Sequence, residues 1–465
     1  MQFDDDSDYT PPTLDWDDQV CQLIFRDAEG GDSHAQFNLG RIYLEGRLLP
    51  KSSIKSAHWY RLAAEQGDAA AQNNLARLYE AGDGVEKDLT RALDLFNMAA
   101  SQEDEVAQFN LGRLYQNGIG VERNVTKAFE WFLKAAEKEQ VQSQLEIGLK
   151  FSNGEGVGQD ASKAVEWYER AEKNGNSHAG YLLGMRYSRG NGVERDDIRS
   201  HELLSKSAEQ GHRQAQHELA KQFERGIGCK EDMAIAFTWF HKAASQGHHD
   251  AEFRVGQMLS GETGCKKDLV EAAEWFERSA AHGNIRALVE LGDIYASNDP
   301  LISSKEKSFA WYLKAAEKKH PHAQYLVAQM YSRGDGVSKD DEIAFSWYTA
   351  AVESGHHLAP ISLIECYIYG RGTEKDTSEA FCLCLARAES GNEHAQSRLG
   401  RMYMDGVGVP RDYVFAYSWL NIAAAGGDEP ASEWRDKLEV KMTKTQVSDA
   451  QRLASRWEVG NSITR

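Results

Sequence analysis

Four histidines occupy one position of a repeating pattern, and histidine is the commonest metal ligand in proteins. They are His212, His248, His320 and His356. Equivalent positions of neighbouring repeats lie one repeat apart, too far for ligands that must each reach about 2 Å from one ion. Elsewhere the same position holds residues of the capping type, namely Asp68, Asn176, Asn284, Asn392 and Asp428. This mixture is typical of turns and helix caps, so we predict neither a metal site nor a cofactor.

A second polar pattern runs through the first three repeats, which read NLGR, NLAR and NLGR. Its members are Asn38, Arg41, Asn74, Arg77, Asn110 and Arg113. Each pair lies at i, i+3, on a helix face away from the apolar one. A guanidinium binds a carboxylate through two hydrogen bonds, and an asparagine amide can hold an extended backbone. We predict a groove for an acidic segment or a C-terminal carboxylate. The alternative is that these residues are solvated, or tie neighbouring repeats together.

Two further patterns bear on function. The recurring GxGV lies between helices and lacks the Lys-Ser/Thr of a phosphate-binding loop, and no nucleophile lies near a base, so we predict no enzyme. In the eighth repeat this turn is replaced by Asn298, Asp299 and Pro300, and Pro321 follows at the next junction. These four residues are predicted as a secondary interaction surface, with simple drift of the sequence as the alternative.

Charge and composition exclude several classes of protein. The chain has 465 residues and a net charge of −19, whereas nucleic-acid binders usually carry a basic surplus. No window approaches the 18 apolar residues of a membrane span, and the N-terminal MQFDDDSDYTPPTLDWDD lacks the basic and apolar regions of a secretory signal. The six cysteines show no CxxC pair. We therefore expect a cytoplasmic protein with reduced thiols, without nucleic-acid or membrane partners.

The elements that would position these residues come from a repeat of 36 residues. Ala107, Leu111, Gly112 and Tyr115 show the pattern of its first helix, which is predicted to begin at the alanine. The spacing i, i+4, i+8 places the alanine, the leucine and the tyrosine on one helix face. The glycine position is Gly or Ala in ten repeats and Ile364 in the tenth, which implies that another helix lies too close for a larger side chain.

A glycine-rich turn follows and is suited to positive φ, and then comes a second helix. A residue of the N-cap type precedes this helix in all eleven repeats: Ser52, Asp88, Asn124, Asp160, Asp196, Asp232, Asp268, Ser304, Asp340, Asp376 and Asp412. The helix carries A-x-x-W-x-x-x-A-A, whose tryptophan we interpret as packing rather than a ligand cage. In the tenth repeat Leu383 replaces the tryptophan and Ile364 replaces the small residue of the first helix. We interpret the smaller side chain at 383 as compensation for the larger one at 364.

No single repeat could bury its apolar face alone, so the repeats are expected to stack. The pattern A-x-x-x-L-G-x-x-Y-x-x-G-x-G-V resembles the Sel1-like repeat, a relative of the tetratricopeptide repeat. The resemblance covers about residues 35–431 and implies an all-α, right-handed superhelical solenoid with a concave groove lined by first helices. It also implies an adaptor or scaffold in protein complexes, often bacterial.

The predicted organisation is an acidic disordered tail (1–14), an N-terminal capping helix (15–34), eleven repeats (35–430), C-terminal capping helices (431–459) and a tail (460–465). A Thr443-x-x-Gln446 capping box is predicted to start the last helix. The predicted function is a non-catalytic, monomeric scaffold that binds a protein or peptide in its groove. The alternatives are an inhibitor or immunity protein enclosing a toxin, an enzyme or metal protein, and a structural element without a partner.

Overall fold

The computed structural model describes residues 19–461 and 463, with side chains from Gln22 onward. The predicted acidic tail therefore lies outside the described residues. Within them the chain forms 25 α-helices and no β-strand, which confirms the all-α prediction. The packing divides the chain into two units, residues 1–243 and 244–465, and the division falls near the end of one helix, Met233–Ser245. None of the described helices combines the length and apolar composition needed to cross a bilayer.

The helices alternate strictly between the two kinds of the repeat. The first helices are α2 (Ser33–Glu45), α4 (Ala69–Ala81), α6 (Glu105–Asn117), α8 (Val141–Asn153), α10 (Ser177–Arg189), α12 (Arg213–Arg225), α14 (His249–Gly261), α16 (Ile285–Ala296), α18 (Pro321–Arg333), α20 (Ala359–Tyr369) and α22 (Glu393–Asp405). The second helices are α3 (Ser53–Glu65), α5 (Leu89–Ser101), α7 (Val125–Glu137), α9 (Ala161–Lys173), α11 (Asp197–Glu209), α13 (Met233–Ser245), α15 (Leu269–Ala281), α17 (Lys305–Glu317), α19 (Asp341–Glu353), α21 (Thr377–Glu389) and α23 (Tyr413–Gly426). Capping elements are α1 (Gln19–Glu29), α24 (Glu429–Glu439) and α25 (Lys444–Ser455).

Except for α20, which begins at Ala359, the first helices begin before the recurring alanine, and this corrects the predicted start. In α4 the cap is Asp68, whose side chain accepts a hydrogen bond from the Ala71 amide at 2.8 Å. A side-chain cap also starts ten other helices, at Asp32, Asp104, Gln140, Asn176, His212, His248, Asn284, His320, Asn392 and Asp428. The alanine is thus at the third helical position in most repeats, because the capping side chain needs an unpaired amide there.

The predicted caps of the second helices are confirmed. Asp88, for example, accepts from the amides of Thr90 and Arg91 at 3.0 Å each. The other ten do the same at their own helices: Ser52, Asn124, Asp160, Asp196, Asp232, Asp268, Ser304, Asp340, Asp376 and Asp412. A capping side chain therefore stands at the start of both helices in every repeat except the tenth, where α20 has no side-chain cap.

The recurring glycine of the first helix lies against a ring of the second helix. A Cβ on Gly112 would lie 2.7 Å from the ring of Phe132, and a Cβ on Gly292 would lie 2.3 Å from the ring of Tyr312. The ring that leaves room only for a small residue thus stands twenty residues after the glycine, at the position that follows the tryptophan of the second helix. It is buried in these repeats because two helices close on it from within the same repeat.

This register corrects the interpretation of the tenth repeat. Twenty residues after Ile364 stands Cys384, which is fully buried and belongs to the same apolar cluster. The larger Ile364 is therefore compensated by a thiol in place of a ring, not by Leu383, which is only partly buried. Volume is conserved across the facing pair, as close packing requires.

A second recurring contact joins a first helix to the helix that precedes it. In the first units of the pattern a buried glutamine at the start of a first helix donates to a carbonyl of the preceding second helix, as Gln72 Nε2 does to Ala64 O at 3.2 Å. The same glutamine accepts a hydrogen bond from Gln102, the residue at the C-terminal end of α5 in its own repeat, with Gln102 Nε2 2.8 Å from Gln72 Oε1. The buried amide of Gln72 is thereby paired through both its nitrogen and its oxygen.

The C-terminal end confirms the predicted capping box. The Gln446 amide donates to Thr443 Oγ1 at 3.3 Å, and the Thr443 amide donates to Gln446 Oε1 at 2.9 Å. Helix α25 packs on α23, with Ala450 in the same apolar cluster as Ala416 and Leu420, so it covers the last repeat.

Candidate functional site

The predicted Asn/Arg stripe lines a cavity of about 640 Å³ at the first helices α4 and α6. Asn74, Arg77, Asn110 and Arg113 all lie on its wall, beside apolar residues that include Phe109. Asn38 and Arg41 of α2 are not among its lining residues. The structure thus brings four of the six predicted residues to one place, in a groove that is part polar and part apolar.

Asn110 is held by the neighbouring repeat. It is 7% exposed, and its Nδ2 donates to Asn73 Oδ1 at 2.8 Å. Asn73 in turn donates through Nδ2 to Asn74 Oδ1 at 3.3 Å. For Asn110 the structure therefore favours the alternative that was left open, a tie between repeats.

Arg113 is paired as well. Its guanidinium makes two parallel hydrogen bonds to the Glu80 carboxylate, Nη1 to Oε1 at 2.7 Å and a second from Nη2 to Oε2. Both side chains are partly buried, at 32% and 17% exposure. A ligand carboxylate would have to displace Glu80, so Arg113 shapes the groove more than it offers a free charge.

Arg77 differs from Arg113. Its side chain is exposed on the groove wall, and within residues 22–461 it makes no ion pair. Asp83 and Glu80 line the same cavity, so the field there is mixed. Arg41 is likewise exposed and without an ion pair in that part of the chain. These two guanidinium groups remain available to a ligand.

The eighth repeat keeps its helices despite its unusual turn. Helix α16 ends at Ala296 without a left-handed glycine, and Asp299 Oδ1 accepts from the Leu301 amide at 2.9 Å. Leu301 is 83% exposed. Pro321 stands at the first turn of α18, where its missing N–H costs nothing. The predicted secondary surface at Asn298, Asp299, Pro300 and Pro321 stays a prediction.

The tryptophans pack, as predicted. Trp167 and Trp275 are buried, and a cation three residues on covers each ring, Arg170 at 4.4 Å and Arg278 at 4.5 Å. Trp311, half-buried, is covered in the same way by Lys314. The rings are thus occupied by the chain's own cations, which leaves no open aromatic cage at these three positions.

The histidine position is a cap, with one exception. The Nδ1 atoms of His212, His248 and His320 accept from the third amide of their helices at 3.2 to 3.4 Å. His356 does not cap, because α20 begins only at Ala359. It lies buried against the Tyr325 ring, with centroids 4.4 Å apart, and 3.3 Å from His322.

The prediction of no metal site considered only histidines at equivalent positions of the repeat, and it missed contacts between histidines at different positions. Histidines 33 or 34 residues apart meet across neighbouring repeats, as His249 and His282 do with ring centroids 3.7 Å apart. Glu252 completes a cluster with these two residues. The signal was present in the sequence: at position 252 a glutamate stands where most repeats have a glutamine.

The cysteines with described side chains are free thiols. Cys384 and Cys366 are buried, and burial raises the pKa of Cys384 to about 12 and that of Cys366 to about 11. Burial also raises the pKa of the thiols of Cys229 and Cys265. These groups stay protonated at neutral pH and behave as small apolar residues, as predicted.

Comparison with known proteins gives one family over most of the chain. The Sel1 repeat matches eleven times, at residues 33–68, 69–104, 106–139, 141–176, 177–212, 213–248, 249–284, 285–320, 321–356, 357–383 and 393–428. None of the curated proteins compared with this chain matches it.

Among solved structures, the chain is 32% identical to c5321, a protective antigen present in uropathogenic Escherichia coli strains that displays an SLR fold. The match covers 94% of each chain with a TM-score of 0.76. A Sel1 repeat protein from Oxalobacter formigenes is 28% identical over 75% of this chain and 90% of its own, with a TM-score of 0.46. The immunity protein Pa5087 from Pseudomonas aeruginosa is 22% identical over 51% of this chain and 84% of its own, with a TM-score of 0.29.

The last two superpositions are too weak to carry an argument. The first, together with eleven family matches, confirms the predicted solenoid class and the resemblance from which it came. The chain belongs to the Sel1 repeat family.

Proposed function

We propose that this protein is a non-catalytic scaffold that binds a protein or peptide partner in the groove at α4 and α6. Sel1 repeats form a helical scaffold of the kind typical of protein–protein interaction. The observation that carries the proposal is the exposed Arg77 on the wall of a cavity of about 640 Å³.

The groove chemistry fits an extended acidic segment or a C-terminal carboxylate. Arg77 offers an unpaired fork for two hydrogen bonds to a carboxylate. Leu44, Val106 and Phe109 supply apolar wall, and Val106 is 40% exposed. Asn74 lines the same wall and can bond to a peptide backbone. A partner with an acidic group next to an apolar side chain would satisfy both surfaces.

The experiment is a selection from a displayed library of random peptides with free C-termini, followed by affinity measurement. Selected sequences should be enriched in Asp, Glu or a terminal carboxylate. Binding to Arg77→Glu should weaken by about tenfold to a hundredfold, the range expected from losing one charge-assisted interaction. Amidation of a C-terminal carboxylate would separate the two forms of ligand.

Arg225→Glu is the matched control, since Arg225 is an exposed arginine of the last turn of α12, far along the same unit. It carries the same change of charge and should leave affinity within about twofold. Selected peptides that bind wild type, Arg77→Glu and Arg225→Glu equally would refute the groove. A library without acidic enrichment would refute the ligand class.

We further propose that the protein works in the cytoplasm. Its five described cysteines are free, and two of them are buried thiols in the apolar core. Fractionation of cells carrying the native protein, with thiol labelling after rapid acid quenching, tests this. Recovery outside the cytoplasmic fraction would overturn the proposal.

A further inference from the structure

Glu252 stands at a position where most repeats have a buried glutamine. Its position is a buried glutamine in seven repeats: Gln36, Gln72, Gln108, Gln144, Gln216, Gln324 and Gln396. Each of these donates through Nε2 to a carbonyl of the preceding helix. An ionised glutamate cannot donate, so the substitution at 252 removes this bond and adds a charge in a buried place.

The partner of that position has changed as well. Thirty residues later, three of these repeats place a side-chain amide that donates to the glutamine: Gln66 to Gln36 at 2.8 Å, Gln102 to Gln72 at 2.8 Å and Asn174 to Gln144 at 3.1 Å. At this point of the chain the residue is His282. A neutral amide pair has thus become a carboxylate and an imidazole in the same arrangement.

A third group converges on the pair. His249 and Glu252 lie one turn apart on α14, and His282 follows the C-terminal end of α15. The distance from Glu252 Oε2 is 3.7 Å to His249 Nδ1 and 3.9 Å to His282 Nε2. The ligand atoms of all three residues lie within 4.8 Å of one another.

Glu252 is the group in need of a partner. Its residue is 4% exposed, and within the described part of the chain its Oε2 accepts no hydrogen bond. The two imidazoles are more open, at 60% and 45% exposure of the side chain. A buried carboxylate aimed between two accessible imidazoles is a site that a cation can enter from solvent.

We propose that His249, Glu252 and His282 bind a transition-metal dication of the Zn²⁺ type. Two imidazoles and one carboxylate suit Zn²⁺. Tetrahedral bonds of about 2.0–2.1 Å place ligand atoms about 3.3 Å apart, so the present distances need only a small contraction. Three protein ligands leave one position for water or for a group from a partner.

The surrounding cavity, about 390 Å³, also holds Asp250 and Arg286. Arg286 lies over the Phe253 ring with its Cζ 5.2 Å from the centroid, and Asp250 supplies a compensating negative charge. The competing explanation is that a protonated histidine pairs with Glu252 without metal. That arrangement needs no Zn²⁺, so titration with the metal separates the two.

The test is calorimetric titration of the full chain with Zn²⁺, after dialysis against a chelator and then chelator-free buffer. The informative variant is Glu252→Gln/His282→Gln, which recreates the amide pair of Gln36 and Gln66 and is expected to fold as well as wild type. It should lose one equivalent of Zn²⁺, or bind it at least about a hundredfold more weakly, since loss even of outer groups costs tenfold to a hundredfold. The rise of Tm with Zn²⁺ should shrink in parallel.

His322→Gln is the matched control, because His322 contacts His356 across the same kind of junction without a carboxylate. It should leave the titration unchanged. Equal stoichiometry and affinity in wild type and the double variant would overturn the site. No uptake by wild type at millimolar Zn²⁺ would overturn it too and would leave the histidine–glutamate ion pair as the explanation.

Discussion

At the scale of single residues, the turn glycines limit how the chain can vary. Gly84 has φ of +73°, and a Cβ there would lie 2.2 Å from the backbone carbon of Ser53. Backbone cannot move aside as a flexible side chain can, and an alanine would also be strained at this φ.

We therefore expect Gly84→Ala to lower the free energy of unfolding of its region by about 2–4 kcal/mol. Urea denaturation followed by circular dichroism measures it. Gly158→Ala is the control, because nothing lies within 4 Å of its missing Cβ. Equal midpoints for the two variants would contradict the close approach.

His212 makes the stability of the protein depend on pH. Burial, with the nearby His178 and Arg213, lowers the pKa of His212 from 6.5 to about 4. The rings of His178 and Tyr181 lie against it, at 5.2 and 4.9 Å. The unfolded chain therefore binds more protons between these pH values, and stability present above pH 6.5 is lost as the pH falls toward 4.

His212→Asn keeps the cap, since Asn176 caps α10 in the same way, and removes the titration. Between pH 7.5 and 5 wild type should lose about 1 kcal/mol more than this variant, after allowance for solvent screening. Tm measured across the pH range gives the comparison. His34→Asn, at a side chain 88% exposed, should follow the wild-type curve; if it flattens the curve equally, His212 is not the source.

At the scale of the helix, α20 shows how one residue moves a boundary. In other repeats the amide of the glutamine position donates to the carbonyl of the cap, as Gln324 does to His320 O at 3.0 Å. Pro360 occupies that position and has no N–H, so the first turn cannot form and α20 starts at Ala359. His356 is freed from capping and packs on Tyr325 instead.

Pro360→Gln should restore the missing bond and start the helix two residues earlier. Hydrogen exchange of residues 357–361 should slow, with a gain of about 1 kcal/mol in stability. Pro321→Gln is the control, because a proline in the first turn of α18 replaces no helical bond. Unchanged exchange in Pro360→Gln would show that another contact sets the start of α20.

At the scale of the whole molecule, a repeat array needs closed ends. In the C-terminal unit α25 covers α23: Ser418 Oγ donates to Ala450 O at 3.0 Å, and the Trp457 and Trp419 rings lie 5.7 Å apart. Without this cover, the apolar face of α23 would meet solvent.

Ala450→Asp should detach this cover, because it buries an unpaired charge at a fully buried position. We expect a loss of about 3 kcal/mol and binding of an apolar dye, read by fluorescence and by the melting curve. Ser448→Asp, on the exposed face of the same helix, should do neither. Dye binding by both variants would mean that charge on α25, not loss of cover, is responsible.

The sequence by itself determined the repeat, the two helices in each unit, the second-helix caps and the small position at Gly112. These features depend on contacts within one repeat, and a period of 36 residues displays them eleven times. The early start of the first helices could also have been read from Asp68, whose residue type is a strong cap.

Only the tertiary structure decided which side chains of the polar positions are free. Arg113 meets Glu80 33 residues away, Asn110 meets Asn73 37 residues away, and Glu252 meets His282 30 residues away. None of these separations is the repeat length, because side chains reach sideways between neighbouring repeats from positions that are not equivalent. Which side chains meet depends on how the helices pack, and the repeat period of the sequence does not give the packing geometry.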